Sequence, residues 1–226
     1  MRTMSFDLVI FDCDGVLIDS EPIARSVLLQ MLSRADLAIS ASEAIEIFGG
    51  RSAVNCMALM EERRGRPLPS GFLADWNRVL YDALARDVRP IAGVVAAIDA
   101  LQVPVCVASN SSHERMRVSL RACGLLVRFE GRLFSANDVS RGKPFPDLFL
   151  HAARTLCAAP ETCAVVEDSP VGVAAGVAAG MEVFGYAAAD GDRESLRRAG
   201  ATVFRDMVDL PALLNEGLQS AGRVRG

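Results

Sequence analysis

The chain has 226 residues, 51% hydrophobic and 23% charged, which reads as globular and suffices for one large domain or a core with a smaller insert. A net charge of −4 leaves no basic surplus to draw it onto nucleic acid, and the longest weakly polar stretch, Pro170 to Met181, is far short of a membrane span. The six cysteines contain no CxxC pair, so neither a zinc knuckle nor a redox pair is indicated, and no signal peptide is expected ahead of the first apolar run. A soluble, cytoplasmic protein with no membrane partner is therefore expected.

The first predicted element, Phe6 to Phe11, is a short apolar run closed by Asp12 and reads as a buried parallel strand. From about Glu21 to Val88 the pattern turns helical, with Ile23–Leu32, Ala44–Phe48, Val54–Met60 and Phe72–Leu84 as candidate helices and no convincing strand. Gly49-Gly50 and Gly65-Arg66-Pro67-Leu68-Pro69 supply the turns, and Trp76 is expected in that segment's core. Helix Gly93–Leu101 then leads to strand Val103–Ala108, which ends in Ser109-Asn110. Helix Glu114–Cys123, a weaker strand over Gly131–Phe134 and helix Asp147–Cys157 follow. Strand Cys163–Val166 ends in Glu167-Asp168 and feeds helix Ser169–Ala179, where Ser169 or Asp168 can cap, Pro170 suits the first turn and Gly180 can terminate. Strands Glu182–Tyr186 and Thr202–Phe204 complete the series.

Alternating strands and helices predict an α/β fold: a Rossmann-like three-layer core with a parallel sheet, plus an inserted all-helical cap domain. The expected boundaries are residues 1–20 and 89–226 for the core and 21–88 for the cap. Because the insert begins directly after the first strand's loop, the active site is expected in the cleft between the two.

Polar residues gather at the strand ends. Asp12 and Asp14 follow the first strand, Ser109 and Asn110 the second, Glu167 and Asp168 the third. In a parallel sheet these ends share one edge, where ligands bind. Clustered carboxylates repel, and a divalent cation resolves the repulsion; Mg²⁺ prefers oxygen ligands and keeps waters or phosphate oxygens in its shell. Lys143, in Arg141-Gly142-Lys143-Pro144, adds a cation that can meet a phosphate. Carboxylates, a metal, a lysine and a hydroxyl suit phosphoryl transfer, which needs charge neutralisation and positioning above all.

Four segments carry a resemblance. Phe11-Asp12-Cys13-Asp14-Gly15-Val16-Leu17-Ile18-Asp19-Ser20-Glu21, Val107-Ala108-Ser109-Asn110-Ser111, Gly142-Lys143-Pro144-Phe145-Pro146-Asp147 and Val165-Val166-Glu167-Asp168-Ser169-Pro170 resemble, in order, the four motifs of the haloacid dehalogenase superfamily. Within it the chain looks most like the β-phosphoglucomutase-like branch with a helical cap, and like its bacterial sugar-phosphate and 6-phosphogluconate phosphatases. Each segment alone is commonplace: a turn, a helix cap, a loop, an N-terminal helix signal. Their joint order at strand ends is what points to function.

The resemblance implies that Asp12 attacks phosphorus and that Asp14 protonates the leaving oxygen and then activates water. It implies that Ser109, with Asn110 nearby, holds phosphate oxygens and that Lys143 ties nucleophile to phosphate. Mg²⁺ would sit on the Asp12 carboxylate, the Asp14 carbonyl and Asp168, with Glu167 a direct or water-mediated partner. Arg51 could reach a substrate anion from the cap. His113 and His151 read as structural or exposed, and Gly172, Gly176 and Gly180 as permitting close helix–sheet contact.

The function expected is Mg²⁺-dependent hydrolysis of a small phosphorylated metabolite, a sugar or sugar-acid phosphate, by a monomer or weak dimer with no nucleic-acid partner. A phosphoglucomutase would use the same motifs. The mutases that the chain resembles carry a histidine on the first cap helix, and alignment from Asp12 and Asp14 puts Ala24 there. A dehalogenase would gain nothing from a second acid at Asp14, and a non-catalytic binding protein would not need every catalytic position filled.

Overall fold

The computed structural model describes residues 6–48, 53–188 and 191–221, with 216–221 described by their backbone alone. The chain divides into two compact units, one of Met1–Asp19 with Arg89–Gly226 and one of Ser20–Val88.

The larger unit opens with β1 (Leu8–Phe11), whose four side chains are all buried. A strand covered on both faces can be apolar at every position, and burying each such side chain contributes about 1.5–3 kcal/mol. A short strand β2 (Ile18–Asp19) follows.

The second unit then supplies α1 (Glu21–Arg34), α2 (Ala41–Phe48), α3 (Ala53–Arg64) and α4 (Phe72–Asp87), and no strand among its described residues. Val27, Leu28, Met31 and Leu32 of α1 and Phe72, Trp76, Leu80 and Leu84 of α4 are buried at helical spacing, and α1 packs along α4. Phe72 and Trp76 meet edge to face at 6.4 Å.

Returning to the larger unit, β3 (Arg89–Pro90) pairs antiparallel with β2, and α5 (Val94–Ala100), β4 (Val105–Ser109), α6 (His113–Ala122), α7 (Leu126–Phe129) and β5 (Leu133–Ser135) follow. Then come α8 (Asp147–Thr155), β6 (Cys163–Glu167), α9 (Pro170–Ala178), β7 (Glu182–Tyr186), α10 (Arg193–Ala199), β8 (Thr202–Phe204) and α11 (Leu210–Ala221). Six strands form one parallel sheet in the order β5-β4-β1-β6-β7-β8. Side chains alternate between its faces. Leu8 and Ile10 join one buried cluster with Leu148, Phe149 and Ala152 of α8 and Val173 and Ala175 of α9. Phe11, on the opposite face, meets Phe129 of α7 edge to face at 6.4 Å. Helices thus cover both faces, and the three-layer Rossmann-like core is the observed architecture.

The differences from the expected elements have local causes. Strand β4 starts at Val105, since Pro104 has no N–H to give the ladder; its carbonyl instead accepts from Val9 N at 3.0 Å. The two-residue ribbon β2–β3 is too short to show a period. In α10 only Leu196 is buried, so no apolar stripe marks it, although Asp192 caps it by accepting from Ser195 N at 3.0 Å. Ser169 caps α9 by accepting from Gly172 N at 3.0 Å, and a Cβ on Gly176 would lie 2.7 Å from Val183, the close helix–sheet approach expected there. A Cβ on Gly180 would meet no described atom within 4 Å, so that glycine serves the left-handed turn at φ +74° instead. Among the described residues no helix is long and apolar enough to cross a membrane.

Candidate active site

Strand β1 lies between β4 and β6, and the chain leaves β1 for β4 on one side before crossing back to β6 on the other. The C-terminal ends of these three strands border a topological switch point, where open α/β sheets bind ligands. Asp12 follows β1 directly, and its N–H continues the ladder to Val166 O at 2.9 Å. The chain then turns tightly: Leu17 N and Ile18 N both donate to Cys13 O, and Gly15 N donates to Ile18 O at 2.8 Å. Gly15 has φ +85°, and a Cβ there would lie 1.9 Å from Asp168 Oδ2, so Asp168 rests against the backbone of the Asp12–Asp14 turn.

Lys143 is buried and donates to Asp12 Oδ1 at 2.5 Å and to Glu167 Oε1 at 2.6 Å, with its ammonium 4.8 Å from the Phe149 ring centre. Burial disfavours the ammonium, but Asp12 and Glu167 outweigh it and raise the lysine above its ordinary range. Asn110 sets this residue in place. Its Oδ1 accepts from Lys143 N at 2.9 Å and its Nδ2 donates to Lys143 O at 3.2 Å, so one side-chain amide holds the residue by the peptide groups on both sides of it. The Asn110 side chain is thereby spent on holding the lysine loop. Ser109, also buried, accepts from Ser111 N at 3.1 Å.

Glu167 is fully engaged. While Oε1 takes Lys143, Oε2 accepts from Asp168 N at 3.0 Å, Ser169 N at 3.1 Å and Ser169 Oγ at 2.9 Å. A Cβ at Gly172 would lie 1.7 Å from Oε1, so only glycine lets the first turn of α9 close over this carboxylate. Glu167 thus ties the α9 N-terminus to the lysine.

Asp14 is held by two residues that the sequence reading did not single out for a role. Ser111 Oγ donates to its Oδ2 at 2.7 Å and Arg115 donates to its Oδ1 at 2.7 Å. Ser111 lay within the second motif, whereas Arg115 stands in the first turn of a charged surface helix, and nothing but tertiary contact marks it. Arg51 and Gly49-Gly50 lie outside the described residues. His113 Nε2 is 2.9 Å from Asp138, and His151 stacks edge to face on Phe134.

Electrostatics define what the cluster lacks. Among the described residues, Asp12, Asp14, Glu167 and Asp168 meet Lys143 and Arg115, two cations for four carboxylates. Asp12 is pushed up to about 7, by burial first and then by Glu167 and Asp14, against the opposing pull of Lys143. Asp168 is pushed up to about 8, by burial and then by Asp12 and Glu167. Burial first, and then mutual repulsion, makes these carboxylates resist ionisation. Among the described residues no three His, Cys, Asp or Glu side chains converge as a metal cage. The donors that remain, the carboxylates of Asp12 and Asp168 beside the backbone of the Asp12–Asp14 turn, suit a hard cation that takes one or two carboxylates and keeps its waters.

Comparison with known proteins agrees with this architecture. Residues 6–180 match the haloacid dehalogenase-like hydrolase family, and the chain belongs to that family of hydrolases. It is 31% identical to the 6-phosphogluconate phosphatase of Escherichia coli strain K12 over 211 residues, covering 92% of this chain and 94% of that protein. The crystal structure of a conserved haloacid dehalogenase-like protein from Agrobacterium tumefaciens C58, ATU0790, superposes with a TM-score of 0.78 at 40% identity, covering 93% of this chain and 98% of that one. A haloacid dehalogenase family hydrolase from Deinococcus radiodurans R1, crystallised with bound phosphate and sodium, gives a TM-score of 0.76 at 33% identity, covering 95% and 98%.

Proposed function

We propose that the protein is a Mg²⁺-dependent phosphatase that hydrolyses a small phosphorylated metabolite, a sugar or sugar-acid phosphate, through an aspartyl-phosphate on Asp12. The observation that carries this reading is the placement of Asp12 at the end of β1, 2.5 Å from the Lys143 ammonium and in the same electrostatic cluster as Asp14 and Asp168. Similarity to a 6-phosphogluconate phosphatase and to a phosphate-bound hydrolase supports it.

In this reading an Asp12 oxygen attacks phosphorus, the ester P–O bond breaks, and Asp14 gives its proton to the leaving oxygen. Water then attacks the aspartyl-phosphate, Asp14 takes a proton from it, and the P–O bond to Asp12 breaks to release phosphate. Lys143 screens the Asp12 charge as the anionic phosphate approaches, and Ser109 and the neighbouring N–H groups hold phosphate oxygens. Asn110 and Glu167 act one step back, fixing Lys143 from its backbone and its ammonium. Mg²⁺ on Asp12, Asp168 and the Asp14 carbonyl would neutralise the remaining carboxylate charge and that of the phosphate.

Hydrolysis is favoured over phosphoryl transfer between sugar positions by Ala24. It stands in α1 where the mutases resembled here place a histidine that delays the acid/base group, and an alanine side chain forms no hydrogen bond. The neighbouring Arg25 is taken by Glu21 at 2.8 Å. The test is phosphate release from a panel of phosphorylated metabolites with Mg²⁺ and with chelator. Activity indifferent to chelation, or isomerised sugar phosphate with little free phosphate, would overturn the reading.

A further inference from the structure

We propose, resting on the phosphatase reading above, that Arg115, together with Ser111, is the positioning residue that fixes the Asp14 carboxylate for attack of water on the aspartyl-phosphate. Both Asp14 oxygens are held at 2.7 Å, Oδ1 by the guanidinium and Oδ2 by the hydroxyl. A carboxylate bonded at both oxygens from two directions is not free to rotate about its terminal torsion. The donors are themselves braced. Ser112 caps α6 by accepting from Arg115 N at 3.2 Å, which sets the angle at which Arg115 leaves the helix. Ser135 Oγ donates to Ser111 O at 2.8 Å, Ser135 N donates to Asp138 at 2.8 Å, and Asp138 meets His113 of α6 at 2.9 Å. One bonded frame therefore carries both holders of Asp14.

Packing alone does not account for Arg115. Among the described residues its buried Nε has no hydrogen-bond partner, a net cost for folding, while its terminal nitrogen is committed to Asp14. Hydrolysis of the acyl phosphate depends on this placement: as the water oxygen bonds to phosphorus and the bond to Asp12 breaks, a water proton passes to an Asp14 oxygen, which must lie in line with it. A misplacement of about 1 Å in such a step costs on the order of 100-fold.

The two half-reactions separate with p-nitrophenyl phosphate, whose nitrophenolate leaves without a proton, so that forming the aspartyl-phosphate makes little demand on Asp14. Stopped-flow and steady-state assays with Mg²⁺ compare wild type with Arg115→Ala, Arg115→Gln and Arg115→Lys. For Arg115→Ala and Arg115→Gln the expected result is a nitrophenolate burst near one per enzyme, followed by a steady state ~10–100-fold slower than wild type. KM falls along with kcat, leaving kcat/KM within about threefold, as slowing only the second half-reaction requires. Arg115→Lys, which keeps the charge and one donor, recovers part of the rate. If kcat is unchanged, or if kcat and kcat/KM fall together in all three variants as lost active sites would make them, the positioning role is overturned. A wild-type protein inert toward phosphate esters would sink the phosphatase reading and this inference with it; an active wild type with unaffected variants sinks this inference alone.

Discussion

Gly15 and Asp168 come from separate motifs, yet a Cβ on Gly15 would lie 1.9 Å from the Asp168 carboxylate, and the φ of +85° at Gly15 is one that side chains rarely adopt. Gly15→Ala should therefore fold with a loss of about 1–2 kcal/mol from the left-handed backbone. It should also displace the Asp168 carboxylate and raise the Mg²⁺ concentration needed for half-maximal activity. Urea denaturation and a Mg²⁺ titration measure the two effects; an unaltered metal requirement would show that Asp168 does not serve the cation.

Lys143 is the buried counter-charge of Asp12 and Glu167. Lys143→Met keeps much of its length and removes its charge, leaving two buried carboxylates without their ammonium. Breaking such a pair typically costs ~3–5 kcal/mol. Denaturation midpoints should fall accordingly and turnover should be lost. A variant as stable as wild type would mean that the pair contributes nothing net.

Asp12→Asn should separate activity from stability. The amide is a very poor nucleophile, so phosphate release should drop below detection. It also removes one charge from a cluster where Asp168 is already resisting ionisation, so the thermal midpoint of chelated protein should be equal to or above that of wild type. Retained turnover would overturn the assignment of the nucleophile. Asp14→Asn should likewise lose turnover, since it can neither give nor take the proton.

The pH dependence follows from the same charges. Asp12 at about 7 and Asp168 at about 8 lie above the ordinary 3.8, so the folded protein binds more protons than the unfolded chain across that window. Stability of chelated protein should therefore fall as pH rises from about 4 to 8. Lys143, raised above its ordinary 10.5, keeps its contribution throughout that window and loses it only at higher pH. Melting curves with chelator should show a midpoint about 5 °C or more lower at pH 8 than at pH 5.5, and Mg²⁺ should abolish most of the difference. A midpoint that rises with pH in chelator would contradict the electrostatic account. Ca²⁺, with its larger and looser shell, should bind and inhibit turnover.

The sequence by itself determined the parallel core, because strands covered on both faces admit unbroken apolar runs such as Leu8–Phe11 and Cys163–Val166, and helices between them such as Asp147–Thr155 and Pro170–Ala178 show a buried apolar stripe or a cap. It also determined that Asp12, Ser109 and Glu167 fall at strand ends, since in a parallel sheet chain order alone brings those ends to one edge. What it could not supply were contacts between residues far apart in the chain. Whether Glu167 faces a metal or a lysine depends on where residue 143 arrives, and the fold brings the Lys143 ammonium within 2.6 Å of it. That Asn110 is spent on the Lys143 backbone depends on a loop 33 residues away. Arg115 carries no signal of its own, because an arginine in the first turn of a charged helix ordinarily faces solvent. Only the packing of α6 beside the end of β1, 101 residues from Asp14 in sequence, turns it inward, and that packing is a property of the folded sheet.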